Sequence, residues 1–181
     1  MGIRPSVSVG AAFVVLATLC LATLPPLGGG ARAADLSTGA QRKGSGLPIS
    51  RFASLRSDEV NVRTGPGTRY PVDWVFKRKS MPVEIVAEYE NWRKIRDWQG
   101  ASGWVHQSLL TGKRNFIIPS KPASLHKTPA NQAEIVAKLE PEVMGEIRSC
   151  AGDWCRVKVS GVSGWLGRTD IWGVYKSEPI N

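Results

Sequence analysis

The sequence predicts an all-β chain built from two copies of one small β unit, and three observations carry that prediction. The stretch NVRTGPGTRY (residues 61–70) passes from a short apolar–polar alternation through a Gly-Pro-Gly turn toward an aromatic ring. Proline pre-sets a turn dihedral and glycine supplies backbone angles that other residues avoid, so this is a turn with a mechanism. Tryptophans then recur, with Trp92 and Trp154 62 positions apart and Trp104 and Trp165 61 apart. A shared period of about 60 residues argues duplication. The third observation is that short alternating runs punctuated by turn residues fill the chain after residue 51, with no convincing helical period.

The first 33 residues stand apart from this pattern. Arg4 is a lone positive charge, residues 7–24 are nearly all apolar, and Ala31-Arg32-Ala33 offers a small-x-small cleavage site. These are the three parts of a secretory signal peptide, expected over 1–33. An uncleaved anchor is the alternative, since the apolar run approaches spanning length. Pro25 and Pro26 before the small-residue site favour cleavage near Ala33, and Leu19 before Cys20 argues against a lipid-modified cysteine. The expected product has no stable membrane span and is exported to the periplasm or beyond. Losing Arg4 and Arg32 takes the formal charge from +9 to +7 and leaves only Cys150 and Cys155. Residues 34–50 are polar, rich in glycine and serine and without an apolar period, so they read as a flexible linker.

From Phe52 onward the first unit, 51–114, reads as five strands. These are 60–62, 72–76, 81–89, 92–97 and 102–105, with a polar turn at 77–80, a tight hairpin at Glu90-Asn91 and a turn at Gln99-Gly100. The second unit, 115–178, repeats ENWRKI as GDWCRV and SGWVHQSLL as SGWLGRTDIW. Where NVRTGPGTRY stood it offers LHKTPANQAE, in which Pro129 is the only clear remnant, so the glycine-rich turn is expected to be lost.

Cys150 and Cys155 flank a hairpin with Gly152-Asp153 at its tip, a favoured two-residue turn. In an oxidising compartment such a pair forms a structural disulfide or, as the alternative, a redox-active one. The matching positions in the first unit are Glu88 and Arg93, so an ion pair in one copy corresponds to a covalent staple in the other. Side-chain alternation places Cys155 on the face of Val157 and Val159 but opposite Arg148 and Glu146, which calls for a bulge.

The turn NVRTGPGTRYPV, a tryptophan in a hairpin, and GWV before a short helical turn together resemble the bacterial Src-homology-3 (SH3) domain. The whole chain, with its leader, tandem units, Trp-Cys step and closing DIWGVY, is similar to a family of exported alphaproteobacterial proteins. The resemblance covers about 52–177. It implies two tandem, partly open SH3-like β-barrels of five or six strands each, the second degenerate, and a role in targeting or ligand binding at the cell wall.

Catalysis finds little support in the sequence. His106 and His126, the only histidines, fall in different units, and no cysteine–histidine spacing suits a metal. No enzyme activity, cofactor or metal is therefore expected, and no nucleic-acid partner is expected for an exported chain. Trp92 with Trp154, and Trp104 with Trp165, recur at matched positions and read as core or hairpin packing. Trp74, Trp98 and Trp172 are unmatched and read as better candidates for ligand platforms. Tyr70 and Trp74 follow the signature turn, where an SH3-like groove would lie, with Arg63, Arg69 and Lys77 around them. Aromatic faces beside cations suit a peptide or glycan bearing carboxylates. Charge agrees, since residues 51–118 hold 12 Lys/Arg against 7 Asp/Glu and residues 119–181 hold 8 against 7. The expected function is non-catalytic binding of a peptidoglycan peptide or another anionic envelope ligand; the alternative is an adaptor for another envelope protein.

Overall fold

The computed structural model describes residues 44–181. The signal peptide expected over 1–33 and the start of the expected linker lie outside the described residues. The rest of that linker is not free. Its residues 44–50 form no strand, yet the Ser45 backbone N–H and hydroxyl donate to Glu88 at 2.6 and 2.7 Å.

The first sheet has seven strands in spatial order β3-β2-β6-β5-β4-β1-β7. In chain order these are β1 (Arg51–Leu55), β2 (Val60–Arg63), β3 (Val72–Phe76), β4 (Pro82–Tyr89), β5 (Trp92–Arg96), β6 (Ser102–His106) and β7 (Leu110–Thr111). The second sheet has six strands in the order β10-β9-β13-β12-β11-β8. They are β8 (Asn115–Ile117), β9 (Ala123–His126), β10 (Ile135–Leu139), β11 (Met144–Ala151), β12 (Trp154–Val159) and β13 (Val162–Gly167). The two orders coincide strand for strand, and a single 3-10 turn follows β6 (Gln107–Leu109) and β13 (Arg168–Asp170). Even β7 has a counterpart, a two-way bridge between Ile117 and Trp172.

Each sheet curls around its own apolar core. Leu55, Val60, Val62, Val83, Ile85, Ile95 and Val105 fill the first; Phe116, Ile118, Leu125, Ile147, Val157 and Leu166 fill the second. The recurring Ser-Gly-Trp step has a packing cause. A methyl group on Gly164 would stand 2.6 Å from Leu125 Cγ and 2.8 Å from the His126 carbonyl oxygen. A methyl on Gly103 would meet the matching Val62 side chain and Arg63 carbonyl. Glycine here lets β13 and β6 cross closely over β9 and β2. We expect Gly164→Ala to cost about 2 kcal/mol through overpacking, read as a shift in urea midpoint at constant m-value.

The hairpins match in register. Glu88 pairs with Arg93 across β4–β5, and Cys150 pairs with Cys155 across β11–β12. A disulfide joins the latter two. The bulge that side-chain alternation requires falls between Ile147 and Ser149, and its twin between Ile85 and Ala87.

The signature turn requires a correction: its backbone survives in the second repeat. In the first, Thr64 N–H donates to Pro71, Gly67 to Gly65 and Tyr70 to Gly67; in the second, Lys127 donates to Glu134, Ala130 to Thr128 and Ala133 to Ala130. The glycines were not needed for unusual angles, since neither Gly65 nor Gly67 has a positive φ. Gly65 is small because the Tyr70 ring lies against it. In the second repeat Ala133 stands in place of Tyr70, so Thr128 fits where Gly65 was.

Both sheets belong to one compact unit. Phe52 of β1 packs edge-on against Trp172, ring centroids 4.9 Å apart, and 4.7 Å from Tyr175. Trp172, expected as a ligand platform, is thus part of the joint between repeats. Glu84, buried, takes a 2.7 Å hydrogen bond from the Tyr175 hydroxyl on one carboxylate oxygen and two bonds from Arg96 on the other. Asn115 donates to Ser54 and Ser54 to the Lys113 carbonyl, both at 2.9 Å.

Candidate functional site

The polar residues of the signature turn divide into those that build it and those that face outward. Arg63 builds it, donating to the carbonyls of Thr68 (3.2 Å) and Tyr70 (2.7 Å). Arg69 faces outward. It is exposed, with its guanidinium 5.1 Å above the Tyr70 ring and donating to the Tyr70 hydroxyl at 3.3 Å. That hydroxyl bond raises the Arg69 pKa further above its ordinary value, so the cation is permanent.

Across from this turn lies the tip of the β4–β5 hairpin, and between them runs a groove of about 520 Å³. Pro66 to Arg69 form one wall, while Tyr89, Glu90, Asn91, Trp92 and His106 form the other wall and floor. Trp92 and His106 sit opposite each other across β5–β6, with rings edge to face at 5.5 Å. The His106 Nδ1 accepts from the Ser108 N–H and lies 2.7 Å from its hydroxyl. In the neutral ring this leaves the proton on Nε2, which is then a donor.

A buried ion network holds this hairpin from beneath. The Glu88 side chain is only 4% exposed and receives Arg51, Arg93 (3.1 Å) and the two Ser45 bonds. Burial pushes its carboxyl up, but the bonds from Arg51 and Ser45 outweigh this and hold it at about 2. Arg93, in turn, donates to the carbonyls of Glu90 (2.8 Å) and Trp92 (2.9 Å) and to the Gln107 side chain (2.6 Å). The positions of two groove residues thus depend on a charge pair whose side chains are almost wholly buried.

Of the residues expected to bind ligand, Arg69 lines the groove, with Tyr70 beneath its guanidinium and Arg63 bracing the turn. Trp74 and Lys77 are elsewhere. Trp74 packs half-buried on the first core, edge to face with Phe76 at 6.0 Å, and Lys77 forms an exposed ion pair with Glu59. Trp92 and His106, which sequence reasoning assigned to packing or left aside, are the aromatic floor. Their signal was the Trp-hairpin spacing itself, since a strand-end tryptophan beside a turn can pack and face a ligand at once. Among the described residues no three His, Cys, Asp or Glu side chains converge to hold a metal. Nor is any described helix long and apolar enough to cross a membrane.

Two small β-barrels in tandem, the first with a groove beside its Trp hairpin, define a modular β-barrel protein. The bacterial SH3 domain matches the chain twice, over 56–112 and 120–173, and the chain belongs to that family. A Bacillus subtilis (strain 168) relative, YrvJ, which carries the name of an N-acetylmuramoyl-L-alanine amidase, is 24% identical over 125 residues. That match takes in 63% of this chain and 24% of the relative, so the chain spans about a quarter of YrvJ's length. Two solved structures are also similar, NlpC1 and NlpC2 from Trichomonas vaginalis, each 12% identical at TM-score 0.33. The matches cover 72% and 73% of this chain, and 48% and 51% of theirs.

Proposed function

We propose that this protein is a non-catalytic binding module of the cell envelope, exported, whose first repeat grips a peptidoglycan peptide or another anionic envelope ligand. The carrying observation is the groove between residues 66–69 and the β4–β5 hairpin, where a fixed cation, a histidine donor and an indole ring face one space. A carboxylate takes a charge-assisted bond from Arg69, and the body of a peptide lies along Trp92. The name carried by YrvJ refers to the amide bond joining a wall sugar to its peptide, which is a source of carboxylate-bearing peptides.

Co-sedimentation with purified sacculi across a salt series tests this. Pelleting should persist at moderate salt, where bulk attraction between a basic protein and an anionic polymer is screened. Arg69→Ala/Trp92→Ala should reduce it about tenfold, the loss of one charged and one stacking contact. Pelleting that vanishes with salt and ignores the variant would refute the groove.

A second reading, an adaptor for another envelope protein, draws on β10. This strand lies at the edge of the second sheet, with Ile135 and Val136 exposed, and an added strand could pair there.

A further inference from the structure

The second repeat has a groove of its own, at the matching place and with a more acidic lining. It measures about 300 Å³ and is lined by His126, Asn131, Asp153, Trp154, Gly167, Thr169 and Asp170. The register shows what has been exchanged. Trp154 occupies the place of Trp92, and Gly167, its partner across β12–β13, occupies that of His106. The imidazole has not been lost. His126 pairs with Trp165 as Arg63 pairs with Trp104, so the ring now comes from β9, and it meets Trp154 edge to face at 5.4 Å. One imidazole–indole pair has thus been built twice from different strands.

The polarity of the two rings differs. The His126 Nδ1 lies 3.1 Å from the Ala133 carbonyl oxygen. A carbonyl only accepts, so Nδ1 carries the proton and the neutral ring leaves Nε2 as an acceptor. The His106 Nδ1, by contrast, accepts from the Ser108 N–H. The charges differ as well. Arg69 of the first groove has become Gln132, Asn91 has become Asp153 and Leu109 has become Asp170, while Glu90 has become Gly152, so a groove with one cation and one carboxylate is replaced by one with two carboxylates. Both aspartates are exposed, and neither has an ion-pair partner among the described residues. The hairpin tip that carries Asp153 is held rigidly, because Arg168 donates to the Gly152 carbonyl at 2.9 Å and its backbone N–H to the Asp153 carbonyl at 2.8 Å.

We propose that this groove binds a primary ammonium group on a polar carrier, so that the two repeats together read a ligand bearing both an amine and a carboxylate. The ammonium sits between the two aspartates, over the indole and within reach of the histidine acceptor. The inference rests on the first-repeat reading for the idea that these grooves hold ligands at all.

Its test uses the full chain labelled with ¹⁵N and three small probes. Diglycine amide and glucosamine carry an ammonium without a carboxylate, on a peptide and a sugar respectively; N-acetyldiglycine carries a carboxylate without an ammonium. Either amine should move the Trp154 indole and the amides of residues 131, 153, 169 and 170, and whichever does so identifies the carrier. Asp153→Asn/Asp170→Asn should weaken that binding about tenfold. The same variant should bind N-acetyldiglycine at Trp92 and Arg69 as before, which also shows that it is folded. Amines that leave the second groove unmoved, while N-acetyldiglycine shifts the first, overturn this inference alone. Shifts that persist unchanged in the variant overturn it as well. N-acetyldiglycine that leaves the first groove unmoved counts against the first-repeat reading instead.

Discussion

Glu88→Gln is expected to lower the stability of the protein by about 3 kcal/mol, because removing one partner of a buried ion pair leaves the other charge uncompensated. The charge left behind is Arg93, whose side chain is 5% exposed. The carboxyl titrates at about 2 in the folded protein against 4.5 when free. A depressed carboxyl stabilises the fold fully above its unfolded value, and that contribution is lost as pH falls from about 4.5 through about 2. The shift corresponds to about 3 kcal/mol, in line with the expected mutational cost. Urea denaturation of both proteins at a series of pH values checks this. The gap should be widest near neutrality and should close as pH falls below the usual carboxylate range. A gap that stays constant with pH would mean that the glutamine costs packing and not charge. Since Arg93 also holds the Glu90 and Trp92 carbonyls, sacculus binding should fall in the same variant at neutral pH.

Arg168→Met is expected to cost about as much, roughly 3 kcal/mol, by removing several hydrogen bonds from one charged group. Arg168 is buried and donates to three carbonyls, those of Gly152 (2.9 Å), Tyr175 (2.8 Å) and Glu178 (2.8 Å). Methionine keeps most of the apolar stem, so lost packing contributes little. The residue ties the C-terminal segment to the Cys150–Cys155 hairpin, and that segment continues to the joint. The Cys150 N–H donates to Ile180, Glu178 pairs with Arg114, and the Tyr175 hydroxyl reaches Glu84 of the first repeat. Burial and the Glu84 carboxylate both raise the Tyr175 pKa, so the hydroxyl remains a donor. Amide exchange distinguishes a local from a global effect. The Cys150 amide should lose protection well before the amides of β12 and β13; uniform loss would mean that the segment does not unfold separately.

The two repeats show why some of this was legible in sequence and some was not. The hairpin register could be read because Glu88/Arg93 and Cys150/Cys155 mark the same rung with opposite solutions to one problem. In the first repeat Arg93 both pairs with Glu88 and holds the hairpin-tip carbonyl of Glu90. In the second the disulfide takes over the first task and Arg168, from the 3-10 turn, takes over the second. The turn at 127–134 could not be read because its signature belonged to the Tyr70 ring and not to the backbone. Once Tyr70 becomes Ala133, the glycine has no reason to persist. Strand β1 was missed for a different reason: RFASL is buried along nearly its whole length, including the hydrogen-bonded Ser54, and so shows no alternation. The groove was half-legible. Arg69 and Tyr70 announce themselves beside a turn, whereas Trp92 and His106 come together only when β5 pairs with β6.

That the first-repeat groove holds an envelope ligand is tested most directly by titrating the ¹⁵N-labelled protein with soluble peptidoglycan stem peptide and following the seven indole resonances. The prediction is a saturable shift of the Trp92 indole together with the amides of residues 67–69 and 106, abolished by Arg69→Ala, with Trp74 and Trp172 unmoved. Saturable shifts centred on Trp74, or no shift at any indole while the peptide is present in excess, would contradict it.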